Sequence, residues 1–243
     1  MTVESPAEPP EPRAESRGGP PTQPTRRSRR LAVNTAIFSA ATGLSRIAGL
    51  VREVVASSYF GTTGPFSAFT LAFQIPNLVR SLFADAALSA AFVPVFMEQL
   101  EHGRKRDAAR LASTLLLIIV AALGAITALF TLTAGWLMPL FVGDTFDAQL
   151  TDLTIGLSQV LFPIVVLLGV NGLVVGILNS HEHFAIPAIA PLVWNIVIIV
   201  VLVVLKPLFD GPDQLYAYAI GVLAGTTVQL LMSLPMLPRV GFH

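Results

Sequence analysis

Charged side chains inside apolar stretches are the residues of this sequence best suited to binding chemistry. The stretch "SRIAGLVREVVASSYFG" carries Arg46, Arg52 and Glu53, and the next apolar stretch carries Arg80 and Asp85. An arginine at the centre of a membrane helix costs about 2.5–3.5 kcal/mol on insertion scales. Such residues persist where they face a cavity, a partner or a substrate, so we expect a binding site at these positions.

The spacing of the charges limits how they can be arranged. Arg46 and Arg52 are six residues apart, which on an α-helix is about 9 Å along the axis and about 120° around it. They therefore need a wide water-filled space or a position between two neighbouring helices. Arg46 and Glu53 are seven apart and share one helix face. Arg80 lies on the next segment along the chain, which we expect to be a neighbour of the first.

Three arginines with two acids nearby leave a local positive excess. Guanidinium groups bind phosphate through a planar, bidentate fork and stay charged when buried, so three of them suit a diphosphate better than a carboxylate. The alternative is structural: the ion pairs Arg46–Glu53 and Arg80–Asp85 could fix helix packing, or the side chains could extend toward the interface. Both interpretations remain open from the residues alone.

Composition places the chain among all-α membrane proteins. Of its 243 residues 53% are hydrophobic and 12% charged, and the mean hydropathy is +0.71; a soluble domain is usually about 25% charged. We predict six transmembrane helices, at about 20 or more apolar residues each. Pro76 and Pro163 should bend or break two of them. The predicted segments are 32–58, 65–98, 108–141, 149–179, 185–206 and 214–237.

Several function classes find no support in the sequence. There is no cysteine, which excludes disulfides and thiolate metal sites. We find no glycine-rich phosphate loop, no catalytic triad pattern and no zinc motif, so we expect neither an enzyme nor a cofactor nor a metal. The formal net charge is zero, and no nucleic-acid partner is expected. Gly221 and Gly225 form a GxxxG pair, for which close helix packing is the default interpretation.

The distribution of basic residues predicts the orientation in the membrane. Residues 1–30 are rich in proline and arginine and read as a disordered cytoplasmic tail, followed by a membrane domain over 31–243. With six crossings, nearly all basic residues outside the helices fall on one side, which the positive-inside rule makes cytoplasmic together with both termini. That side carries Arg26, Arg27, Arg29, Arg30, Arg104, Lys105, Arg106, Arg110 and Arg239, whereas Lys206 is on the other.

Three stretches resemble one known family. "SRIAGLVREVVASSYFG", "AFTLAFQIPNLVRSLFADAALSAAFVPVF" and "FPIVVLLGVNGLVVGILNSHEHFAIPAIAPLVWNI" are similar to the MurJ (MviN) family of lipid II flippases, in the multidrug/oligosaccharidyl-lipid/polysaccharide exporter superfamily. The resemblance implies one lobe of a two-lobe exporter. Such a protein moves the undecaprenyl-pyrophosphate-linked peptidoglycan precursor across the bacterial plasma membrane by alternating access.

The resemblance also implies roles for individual residues. The essential arginines of the family match Arg46, Arg52 and Arg80, and its acids match Glu53 and Asp85. Ser45 and Asn77, beside these charges, complete the expected substrate-binding set, and Pro76 and Gly49 are the expected hinges. The chain departs from the family pattern at three positions, which weakens a claim of identical switching more than one of identical substrate. These positions are Ser67, Ala86 and Leu88.

The family is longer than this chain, so the resemblance implies the N-terminal lobe alone. Its expected partners are lipid II, membrane lipids, and a C-terminal lobe or a second copy, with a possible cytoplasmic partner for the tail. Two other functions remain open. One is a flippase for another polyprenyl-diphosphate-linked glycan; the other is a non-transporting membrane scaffold that recruits cell-wall enzymes through the tail.

Overall fold

Every regular element of the computed structural model, in the residues it describes, is helical. The structure describes residues 26–61, 64–82, 93–143, 146–181 and 185–238. Single 3-10 turns occur at Lys206–Leu208, Gly211–Asp213 and Leu234–Met236. The eight α-helices are α1 (Arg26–Phe60), α2 (Pro65–Arg80), α3 (Val93–Glu101), α4 (Lys105–Val142), α5 (Ala148–Leu161), α6 (Ile164–Ser180), α7 (Ala185–Leu205) and α8 (Gln214–Ser233).

Local sequence signals account for several helix ends. Gly61 and Gly64 have φ values of 70° and 61°, which glycine adopts readily; Gly61 directly follows α1 and Gly64 directly precedes α2. Pro65 follows at the first position of α2, where its missing N–H costs nothing. Asp147 caps α5: its carboxylate accepts a hydrogen bond of 2.8 Å from the Leu150 amide.

The prolines of the predicted segments behave differently from one another. The predicted break at Pro163 is confirmed, because α5 ends at Leu161 and α6 begins at Ile164. Pro76 is buried within α2, which continues through it to Arg80. A bend at Pro76, and its role as a hinge, stay predictions. Helix α1 begins at Arg26, inside the predicted tail, and the rest of that tail lies outside the described residues.

The helices do not pack in chain order. Helix α7 packs most extensively on α8 and α1, α2 packs on α5, and α4 packs on α5 and α6. Helix α1 contacts α2 at the ring pair Phe60–Phe66 and lines the same cavity, so the two helices are neighbours as expected. The more extensive packing of α1 is on α7 and that of α2 is on α5, which was not expected.

Helices α7 and α8 approach each other closely at the predicted glycine pair. A Cβ at Gly225 would meet the Trp194 carbonyl oxygen at 3.0 Å, and one at Gly221 would meet the Ile198 carbonyl oxygen at 3.1 Å. Close packing of α7 and α8 over this GxxxG pair is thus confirmed. The bare glycine backbone is what allows the two helices to come this near.

Four of the six predicted membrane segments are confirmed as candidate spans. In the described residues these are Arg106–Val142, Ala148–Ser180, Ala185–Leu208 and Gly211–Met236. Large apolar side chains point outward from them, as for Leu132, which is 84% exposed on α4, and a lipid environment accepts such a surface. The first predicted segment is helical, and the second extends partly outside the described residues. Neither is among the four spans, so six crossings stay a prediction.

Candidate functional site

A cavity of about 230 Å³ lies where four helices converge. Arg52 and Glu53 on α1 form its charged side, and α2, α7 and α8 supply the rest of the lining. The remaining residues of the lining are Phe66, Phe69, Thr70, Phe73, Trp194, Tyr218 and Val222. The site therefore combines one cation and one acid with a largely aromatic wall.

Arg52 contacts residues of both α7 and α1. Its Nη1 donates a hydrogen bond of 3.1 Å to Asn195 Oδ1, and its guanidinium carbon lies 5.1 Å from the centre of the Trp194 ring. The guanidinium is also 3.5 Å from the Glu53 carboxylate. The Arg52 side chain is 21% exposed, whereas that of Glu53 is 52% exposed. The cation is thus partly desolvated while its acidic partner remains largely in contact with the surroundings.

One donor of the Arg52 guanidinium has no partner in the described part of the chain. Its Nε is buried and makes no hydrogen bond there. A buried N–H without an acceptor costs free energy, and more so on a charged group. The fork of an arginine suits the two oxygens of a phosphate group.

Two residues of α7 that complete the site were not predicted as site residues. Asn195 and Trp194 both contact Arg52, 143 and 142 positions away along the chain. Trp194 is fixed in turn, because its indole Nε1 donates to Thr226 Oγ1 on α8 at 2.9 Å. The available signal was Asn195 itself, a strongly polar side chain within the apolar run "LVWNIVIIVVLVVL".

The aromatic wall is a stack of rings from α2 and α8. Phe69 lies 4.3 Å from Tyr218 between ring centroids, with the planes 17° apart. Phe66 and Phe73 stack on either side of Phe69 at 6.2 Å. Offset stacking of this kind adds about 0.5–1.5 kcal/mol per pair beyond area burial. These stacked rings and Arg52 line the same cavity.

The other predicted residues of α1 precede Arg52 along the helix and do not line the cavity. Arg46 is exposed and is not part of the cavity lining. The Ser45 carbonyl oxygen accepts a hydrogen bond of 3.4 Å from Asn195 Nδ2. A Cβ at Gly49 would lie 3.7 Å from the Asn195 amide oxygen, an ordinary contact distance. Ser45 and Gly49 thus adjoin Asn195, and a hinge at Gly49 stays a prediction.

The predicted residues of α2 form a separate cluster. Arg80 Nε and Nη2 donate to Asn77 Oδ1 at 3.2 and 3.1 Å, one helical turn away. Neither residue belongs to the lining of the cavity at Arg52. Asp85, the predicted acid of this segment, lies outside the described residues. The structure therefore places Arg52 and Glu53 at one cavity and holds Arg80 and Asn77 elsewhere on α2.

The cavity pairs one cation with one acid, and the rest of its lining is aromatic or uncharged. Among the described residues no group of three or more His, Asp or Glu side chains is placed to hold a metal ion. What the cavity offers is a positioned guanidinium, an aromatic wall and two polar groups, Glu53 and Thr70.

Comparison with known proteins gives a consistent result. The family model described as "Lipid II flippase MurJ" matches residues 56–243. The chain is 33% identical over 199 residues to the lipid II flippase MurJ of Burkholderia cenocepacia, an alignment covering 81% of this chain and 38% of that protein. It is 36% identical over 225 residues to the probable lipid II flippase MurJ of Vibrio cholerae, covering 88% and 42%. The chain spans less than half the length of these relatives.

A solved structure shares the fold. A lipid II flippase MurJ in an inward closed conformation superposes with a TM-score of 0.70 at 24% identity. The superposition covers 86% of this chain and 43% of that one. The helical arrangement described above is therefore that of part of this solved structure.

Proposed function

The chain belongs to the MurJ family, and on that premise we propose that it forms the N-terminal lobe of a lipid II flippase. MurJ proteins are multi-pass membrane transporters rather than enzymes, and the sequence analysis likewise predicted no enzyme. The proposed substrate is the lipid-linked peptidoglycan precursor, which this lobe would bind through its diphosphate group.

The observation that carries the proposal is the partly buried Arg52 guanidinium at the cavity. A structural ion pair would be expected to bury both partners, but Glu53 is 52% exposed beside it. Glu53 can therefore be displaced toward solvent when a stronger anion arrives, with little loss of its own hydration. Replacing a monovalent carboxylate by a diphosphate strengthens the electrostatic interaction with the guanidinium.

The two other predicted arginines add to the charge along the path of the headgroup. Arg46, exposed on α1, lies about 9 Å along the helix axis from Arg52. Arg80 adds a cation on α2. In the proposed mechanism the diphosphate exchanges among these cations, the prenyl tail stays in lipid, and one lobe rocks against another about the site. Glu53 and Asp85 limit the positive excess when no substrate is bound.

The proposal includes six membrane crossings and an orientation. We assign α1 and the segment containing α2 as crossings in addition to the four candidate spans. Arg104, just before α4, and Arg106 and Arg110 in its first turns then lie on the cytoplasmic side with the N-terminus, as the positive-inside rule requires. Lys206, directly after α7, lies on the opposite side of the membrane.

The test is lipid binding by the chain in lipid nanodiscs. We expect labelled lipid II to bind, undecaprenyl diphosphate to compete, and neutral undecaprenol to compete poorly. Arg52→Gln should weaken binding about 10- to 100-fold, because a hydrogen bond to a charged group is worth about 1.5–3 kcal/mol. Equal competition by the two lipids would contradict the proposal, since the tail alone would then account for binding. Stronger binding of a different diphosphate-linked glycan would favour the related-exporter alternative.

A further inference from the structure

The side chain of Asn195, on α7, makes hydrogen bonds both to its own helix and to the charged part of α1. Its side chain is 5% exposed and bonds at both ends of the amide. Oδ1 accepts from Arg52 Nη1 at 3.1 Å, and Nδ2 donates to the Pro191 carbonyl oxygen at 2.9 Å and to the Ser45 carbonyl oxygen at 3.4 Å. One amide thus joins the Arg52 guanidinium, the backbone of α1 and the backbone of α7.

The surroundings of this amide leave it little freedom. The backbone of α1 passes close to it at Gly49, where a Cβ would lie 3.7 Å from the Asn195 amide oxygen. The neighbouring Trp194 ring covers the guanidinium and is itself bonded to Thr226. The orientation of Asn195 is also fixed chemically, because only its oxygen can accept from Arg52 and only its nitrogen can donate to the two carbonyls.

We propose that Asn195 is a positioning residue for the substrate-binding cation: it holds the Arg52 guanidinium toward the cavity so that its remaining donors face an incoming diphosphate. This inference rests on the proposed function. A neutral amide suits this task because it accepts from the guanidinium without neutralising its charge. A carboxylate at the same place would compete with the diphosphate for the cation.

The role predicts a specific pattern of binding constants. Asn195→Leu should weaken lipid II binding about 5- to 30-fold, the equivalent of about 1–2 kcal/mol of lost positioning. In an Arg52→Ala background the same change should have less than about a twofold effect, because the group to be positioned is absent. A purely structural role would give the same loss in both backgrounds.

The chain offers a matched control. Asn171 on α6 is also a buried asparagine, at 7% exposure, and does not line the cavity. Asn171→Leu removes the same chemical group and should leave lipid II affinity unchanged. If Asn195→Leu does not fold, Asn195→Ser replaces it, because the shorter hydroxyl bonds within its own helix and cannot reach the guanidinium.

A second measurement tests the inference without any lipid. The side-chain ¹⁵N signals of Arg52, identified by their loss in Arg52→Ala, should report hindered guanidinium rotation in the parent chain and free rotation in the Asn195 variant. Failure of the parent chain to bind lipid II would refute the proposed function and leave this signal to decide the positioning role. Unchanged Arg52 signals, or equal losses of binding in both backgrounds, would overturn the inference.

Discussion

The glycine pair on α8 allows a prediction about thermal stability: the structure indicates whether replacing one of these glycines raises or lowers it. Replacing Gly225 with alanine places a Cβ 3.0 Å from the Trp194 carbonyl oxygen, 3.0 Å from its ring carbon Cδ1 and 3.2 Å from the Ile198 side chain. A methyl group cannot occupy that space without moving α7 away from α8. One of the obstacles is backbone, which cannot rotate aside.

The expected cost follows from two opposing effects. Overpacking of a filled interface costs about 1–3 kcal/mol. Alanine in place of glycine within a helix stabilises the folded state by about 0.5–1 kcal/mol. The net loss should be about 1–2 kcal/mol, which for a chain of this size lowers the melting temperature by about 2–8 °C.

Gly124 on α4 is the matched control, because a Cβ there would meet nothing within 4 Å. Gly124→Ala should therefore keep or raise the melting temperature through helix propensity alone. The assay is thermal unfolding of detergent-purified protein followed by fluorescence-detected size exclusion. Equal melting temperatures for the two variants would refute the close packing of α7 on α8, and a rise for Gly225→Ala would do so more strongly.

Further predictions concern one contact between helices and one helix end. A Cβ at Gly156 on α5 would collide with the Tyr216 hydroxyl on α8, so Gly156→Ala should lower thermal stability, and Tyr216→Phe should restore part of it by removing the hydroxyl. No recovery in the double variant would contradict this contact. Asp147→Ala should cost about 0.5–2 kcal/mol by removing the cap of α5, whereas Asp147→Asn should cost much less, as thermal unfolding can check. Equal losses for the two substitutions would argue against the cap.

The parts of the fold that sequence could predict are those determined locally. The last four predicted membrane segments agree with the structure, because apolar length and composition are properties of each segment alone. The break at Pro163 was predictable for the same reason, since proline removes a donor wherever it stands. Helix α2 nevertheless continues through Pro76, which is buried, and burial is a property of the tertiary packing that the local sequence does not contain.

Only the residues that α1 contributes to the candidate site could be predicted from the sequence. Arg52 attracted attention because a cation in an apolar stretch is costly and needs a reason. Its partners Asn195 and Trp194 lie more than 140 positions further along the chain and meet it only through the packing of α1 on α7. Adjacency in sequence suggested α2 as a neighbour of α1, but it gave no sign that α7 provides the more extensive packing.

The central claim is that cations of this chain bind the diphosphate of a lipid carrier. Binding of purified lipid II to the chain, compared with a variant in which Arg46, Arg52 and Arg80 are all alanine, tests it most directly. The account predicts that the parent chain binds and that the triple variant loses at least the 10- to 100-fold, or about 1.5–3 kcal/mol, expected for Arg52 alone. Equal affinity in the two proteins would show that the arginines are structural and would contradict the account.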